Sequence, residues 1–178
     1  PAGCNQIRRM GRLALANGNS ISNVVSRIAD RLRELSSGGQ VGAEIHIACT
    51  LAAGTGSGSI IDVVTQLQRQ LKSETGNFEI FLHGFATARD VGDINTGNFY
   101  ANQYAALLEL NAFRLARYEP WDIAAQAAPK RLSVPQPGES SGDLRGTFRA
   151  LALVTDTTEG GADVPLDQQV DNVAELVV

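Results

Sequence analysis

The sequence predicts an α/β fold: a parallel sheet covered by helices on both faces. Three observations carry this. Strand-like and helix-like segments alternate along the chain, which is the pattern of βαβ units. The strand candidates are nearly continuous apolar runs, as expected of strands buried on both faces. A glycine-rich turn leaves the first strand and leads directly into a helix. The length of 178 residues suits a single domain with a sizeable core.

The elements follow in chain order. Ile21, Val24, Val25, Ile28, Leu32 and Leu35 recur at helical spacing, with Asn19 or Ser20 able to cap the first turn. Residues 43–51 form a strand, and residues 52–58 the glycine-rich turn. Ile60, Ile61, Val64, Leu67 and Leu71 mark the next helix, with Asp62 expected near its N-terminus, where the helix dipole favours an anion. Residues 78–86 form a second strand and residues 87–98 a polar loop. A helix over 99–118 is expected to turn Tyr104, Leu107, Leu108 and Leu115 inward. Residues 119–147 contain Pro120, Pro129, Pro135 and Pro137 and read as a long irregular insertion. A strand over 148–154 and a final helix carrying Leu166, Val170, Val173 and Val177 complete the chain. That helix has no stop signal and the chain opens without Met, so it reads as a piece of something longer, incomplete at both ends.

Charge narrows the function classes. The net charge is −4 and the pI about 5.1, so there is no general attraction to nucleic acid or anionic lipid. The basic residues cluster early: Arg8, Arg9, Arg12, Arg27, Arg31 and Arg33 face only Asp30 and Glu34 within the first 42 residues. Residues 150–178 hold six acids and no Lys or Arg. No apolar run approaches the roughly 20 residues that a bilayer requires, so membrane insertion is not expected. Cys4 and Cys49 have no metal-site spacing, and a reducing cytoplasm is the simplest setting.

The strongest chemical signal is Gly54-Thr55-Gly56-Ser57-Gly58 between a strand and a helix N-terminus. Missing Cβ atoms admit a phosphate to the backbone, and the free N–H groups of the helix start point at the same place. It is not a Walker A loop, because no Lys follows. It is not a nucleophile elbow, because Ser57 lacks the flanking glycines. A dinucleotide fingerprint needs its third glycine one position later. A glycine turn that merely lets helix and strand pack is the competing reading. On the phosphate reading, Gly56→Val in the intact parent should abolish nucleotide binding and leave the fold mostly intact.

With the strand before it, this segment resembles the signature phosphate loop of the tubulin and FtsZ superfamily, GTP-binding proteins that polymerise into filaments. Residues 3–15 resemble the loop facing the terminal phosphate, with Gly11-Arg12 opening toward the next helix. Residues 78–86 and 98–109 resemble the strand and helix bracketing a ribose-contacting loop. The closest resemblance is to the bacterial tubulin-like group. It implies that residues 1–178 belong to one Rossmann-like GTP-binding domain, with GTP or GDP, and Mg2+ alongside, as ligand. It further implies phosphate contacts from Gly54, Thr55, Gly56, Ser57, Gly58, Gly3 and Asn5, and ribose-side contacts from Arg89, Asp93 and Asn98. Self-association or filament formation would belong to the longer parent. Ala52 and Ala53 replace two glycines usual in the family loop. The acid that activates water in that superfamily has no counterpart here, so the chain alone is expected to lack GTPase activity.

Other residues read more simply. Arg8, Arg9 and Arg12 either neutralise a terminal phosphate or are solvated. Asp90, Asp93, Asn95 and Asn98 are turn-forming or capping residues as readily as ribose ligands. His46 and His83 are sheet histidines rather than metal ligands, and no metal site is expected. Two other functions stay open: a dinucleotide-binding enzyme, for which Glu74 and Glu79 are the nearest acids, and a tubulin-like structural subunit without nucleotide.

Overall fold

A computed structural model describes residues 6–17, 20–36, 42–71, 78–87, 98–115, 117–123 and 148–177. Its elements are α1 (Arg8–Ala16), α2 (Ser20–Ser36), β1 (Ala43–Thr50), α3 (Gly54–Leu71), β2 (Phe78–Ala86), α4 (Phe99–Arg114), β3 (Ala150–Thr155) and α5 (Leu166–Val177). The strands form one sheet in the order β1-β2-β3, with both pairings parallel. The fold class is therefore α/β with a parallel sheet, as the alternation of elements predicts.

The core forms on one face of that sheet. Ile45, Ile47 and Cys49 lie beside Ile80, Leu82 and Gly84, and Leu151 continues the row. Against it pack Ile21, Val25, Ala29 and Leu32 of α2, then Ile60, Val64, Leu67 and Leu71 of α3, then Ala106, Leu110 and Phe113 of α4. Each of the Val, Leu, Ile and Phe side chains among these contributes about 1.5–3 kcal/mol of transfer free energy when fully buried. Helix α3 is central and touches α1, α2, α4 and β1.

Two features of this packing depart from the sequence reading. Residues 3–15 do not form an open loop throughout, because Arg8–Ala16 is a helix and Gly11 and Arg12 lie inside it. That helix lies across the start of α3, and glycine makes the crossing possible. A Cβ on Gly11 would sit 2.2 Å from the Gly54 carbonyl oxygen, and a Cβ on Gly58 would sit 2.1 Å from the Arg8 carbonyl oxygen. Residues 54–58 are correspondingly the first turn of α3 rather than a loop before it.

Other differences have simple causes. Strand β1 is half-exposed, with Glu44, Ala48 and Thr50 open, because within the described sheet it pairs on one side only. Helix α4 ends at Arg114 and buries Asn102, Ala106, Leu110 and Phe113, leaving Tyr104, Leu108 and Leu115 exposed. In α5 the buried residue is Gln169, whose side chain donates to the Val164 carbonyl at 2.8 Å, while Leu166 and Val170 are exposed. Asp62 lies two turns beyond the α3 start, not in its first turn. Of the segment 119–147, residues 124–147 lie outside the described residues. Its beginning is anchored where Asp122 accepts from Gln66 Nε2 at 2.8 Å and pairs with Arg69.

The opposite sheet face carries a polar chain. Glu44 Oε2 lies 3.2 Å from His46 Nε2, and His46 Nδ1 lies 3.0 Å from His83 Nε2. His46 stacks on Phe81 with ring centroids 5.0 Å apart. Burial, and secondarily the His46 ring, hold the His83 pKa below its ordinary 6.5.

Two predictions follow from the packing. Ala replaces Gly in a helix with a gain of about 1 kcal/mol in propensity, but a backbone contact at 2.1 Å leaves no room for the methyl group. Gly58→Ala should therefore lose about 2–3 kcal/mol in urea denaturation, whereas Gly160→Ala, whose Cβ would find no neighbour nearer than 3.9 Å, should change little. His83 stays neutral in the fold and accepts a proton when unfolded, so its contribution to stability is present above pH 6.5 and lost as pH falls below it. The urea midpoint should drop more steeply on acidification in the native sequence than in His83→Phe.

Candidate functional site

The carboxyl ends of the three parallel strands define one edge, the usual ligand edge of such sheets. At that edge lie Leu51 to Ala53 after β1, Thr87 after β2 and Asp156 after β3. Leu51 N–H donates to the Phe85 carbonyl at 2.9 Å, extending the ladder one residue beyond β1. Helix α3 then starts at Gly54, with no acidic residue in its first turn to occupy the free N–H groups. Gly54 and Ser57 are buried, Gly56 and Gly58 half-buried and Thr55 exposed. Thr55 therefore presents its side chain at the positive end of the helix dipole.

The glycines of this turn have steric work besides any ligand. A Cβ on Gly56 would lie 2.8 Å from the Thr50 carbonyl oxygen and 3.2 Å from Cys49 Cβ, so Gly56 faces the end of β1. The expectation that Gly56→Val spares the fold is corrected by this contact. Among the described residues Gly161 is the only glycine with positive φ, so none of the described cradle glycines is required for a left-handed backbone. Burial raises the Cys49 thiol to a pKa of about 11, which keeps it protonated and inert.

Ser57 does not project freely toward a ligand. Its hydroxyl accepts from Arg8 Nε at 2.8 Å and donates to the Asn102 carbonyl at 3.3 Å. Arg8 also donates to the Ser57 carbonyl at 2.9 Å and forms a two-pronged pair with Glu109 of α4. Arg12 reaches Asp62, with Nη2 to Oδ1 at 2.9 Å; Nε lies 2.8 Å from Oδ2 but off the hydrogen-bond axis. These arginines, with Arg9, Ile61 and Tyr118, line a cavity of about 330 Å³ on the flank of α3. Arg8 and Arg12 are thus neither simply solvated nor unengaged charges at the helix tip.

Asn102 was not singled out by sequence reasoning. Its side-chain amide donates to the Gln6 carbonyl at 2.7 Å and to the Ala52 carbonyl at 3.1 Å. Gln6 has φ of 57°, the one positive-φ non-glycine among the described residues. The neighbouring Gln103 accepts from Thr87 N–H at 2.8 Å and donates to the Thr87 carbonyl at 3.1 Å. Thr87 in turn donates its hydroxyl to Asp156.

Of the remaining expected site residues, Asn98 holds the N-cap position of α4 without a side-chain cap bond. Gly3, Asn5, Arg89 and Asp93 lie outside the described residues, as do Asp90, Asn95, Glu74 and Cys4. Glu79 stands at the amino end of β2, the wrong edge for a dinucleotide ribose. Among the described residues no group of three or more His, Cys, Asp or Glu is placed to hold a metal, and no helix is long and apolar enough to cross a membrane.

A sequence model of the family described as tubulin-like matches residues 1–175. The chain belongs to the tubulin-like family. No curated protein and no solved structure matches it. Within this tubulin-like domain the match covers α1 to β3, the glycine-rich start of α3, and α5 up to residue 175.

The Arg12–Asp62 pair makes a pH-dependent prediction. Asp62 is 4 % exposed, and burial raises its pKa above 3.8 against the lowering influence of Arg12. Arg12→Ala removes that opposing influence, so the carboxylate becomes an unpaired buried charge. The variant should lose about 3 kcal/mol at neutral pH, recover part of it as acid protonates Asp62, and be rescued by Asp62→Asn in a double-mutant cycle.

Proposed function

We propose that this tubulin-like chain is a GTP- and GDP-binding piece of an FtsZ-like bacterial protein that works in the cytoplasm, self-associates and hydrolyses GTP between assembled subunits. The observation that carries the reading is Gly54-Thr55-Gly56-Ser57-Gly58 forming the first turn of α3 at the carboxyl edge of a parallel sheet. The fit to phosphate is chemical. The first-turn N–H groups have no acidic neighbour in that turn, Thr55 is exposed there, and half-buried Gly56 brings backbone close to the surface. Ser57 would act through its backbone, since its hydroxyl is committed to Arg8 and Asn102. Gly3 and Asn5 would reach the terminal phosphate ahead of α1, and Arg89, Asp93 and Asn98 the ribose side. Mg2+ would arrive with the triphosphate. The hydrolytic acid would come from outside this chain, so the chain alone should release no phosphate.

One observation favours a second reading. Gly56 and Gly58 are both required by close backbone packing, and Ala52 is buried. A structural subunit that has lost nucleotide would keep the same turn for packing alone.

Calorimetry of the chain with GTP, GDP, ATP and NAD separates these. GTP and GDP should bind, and Thr55→Glu should weaken both at least ten-fold. An acid in the first turn suits the helix dipole, so this variant should keep or slightly raise its melting temperature. Binding of NAD in preference to GTP would point to the dinucleotide class, and binding of no nucleotide to the structural subunit.

A further inference from the structure

We propose that Asn102 is the positioning residue that holds the two phosphate-facing segments of the site in register. This rests on the nucleotide reading above for its consequence, but its mechanical part stands on geometry alone.

Two chain segments must meet for the proposed site to exist: the stretch leading into α1, and the turn from β1 into α3. They are some 46 residues apart in sequence, and the carbonyls of Gln6 and Ala52 are brought to one amide group. Asn102 spends both of its side-chain donors on them, at 2.7 and 3.1 Å, and is 8 % exposed. An amide can do this and an isosteric carboxylate cannot, because a carboxylate would set two acceptors against two carbonyls. The main-chain carbonyl of the same residue accepts from Ser57 Oγ at 3.3 Å, so the cradle itself is held from a third direction. One turn of helix therefore fixes both sides of the site.

The left-handed backbone at Gln6 supports the assignment. A positive φ at a non-glycine residue persists only where neighbours impose it, and the carbonyl of this residue is the one Asn102 holds. Seven residues further along the same helix, Glu109 grips Arg8, which is bonded to Ser57. Helix α4 thus clamps α1 to α3 at two points. The Glu109 clamp lies at the flanking cavity, and the Asn102 clamp lies at the edge where the strands end.

The test compares Asn102→Asp and Asn102→Ala with Leu110→Ala, which removes a core side chain from the same helix. The first readout is hydrogen exchange of the full chain without ligand. The Asn102 variants should lose protection together in residues 6–11 and 52–58, while Leu110→Ala loosens α4 and the core instead. The second is calorimetry with GTP and GDP, in which the Asn102 variants should bind roughly ten-fold or more weakly and Leu110→Ala should bind as the native chain does. Asn102→Gln, which retains both donors, should recover part of the affinity. If the exchange patterns of the Asn102 variants and Leu110→Ala coincide, or if affinity follows melting temperature alone across all of them, the positioning role is overturned. If the native protein binds no nucleotide while the Asn102 variants still show the paired loss of protection, the functional reading is overturned and the clamp upheld.

Discussion

The structure depends on how closely α1 can approach the first turn of α3. The approach is a contact of backbone on backbone, set by Gly11 against Gly54 and by Gly58 against Arg8. Once that distance is fixed, Arg8 comes within reach of Ser57 and Glu109, and Arg12 within reach of Asp62. A longer separation would leave the buried Asp62 carboxylate without its guanidinium, at a cost of several kcal/mol. Close packing and electrostatics are therefore one problem here, solved by the absence of a side chain at Gly11 of α1 at one crossing point and at Gly58 of α3 at the other.

This gives the glycine-rich turn two explanations at once. Anion binding needs bare backbone and free N–H groups, and helix crossing needs bare backbone too. The two demands act on the same residues from different directions: Gly56 is approached by the end of β1, Gly58 by α1, and Thr55 by solvent. At the tip of this turn the exposed side chain is a threonine rather than a glycine, so a substitution there leaves both backbone contacts untouched.

Much of the fold was legible in the residues because it rests on periodicity. Ile21, Val25 and Leu32, or Ile60, Val64 and Leu71, recur at the helical interval and are buried as that interval requires. What escaped notice rests on polar atoms in phase with an apolar stripe. Asn102 stands four residues before Ala106 and eight before Leu110, so it shares their buried face, yet counting apolar residues turned α4 the wrong way and put Tyr104 inside. Gln169 misled in the same manner in α5. The glycine-rich turn into α3 was legible as glycine spacing after a strand. Its connection to Arg8, Asn102 and Glu109 was not, since those residues lie 45 to 52 positions from Ser57 along the chain.

The two adjacent amides on α4 have a geometric corollary. Asn102 holds the end of β1 through Ala52, and Gln103 holds the end of β2 through both backbone groups of Thr87. Consecutive residues on a helix diverge by about 100°, so the angular pitch of α4 becomes the spacer between two neighbouring strand ends. The mouth of the sheet is gauged by a helix as well as by the sheet's own ladder. A single-residue insertion or deletion between Gln103 and Ala106 would rotate both amides off their partners relative to the buried stripe of Ala106 and Leu110, making this stretch of the chain intolerant of length changes even though its outward residues, such as Tyr104, are free to vary in kind.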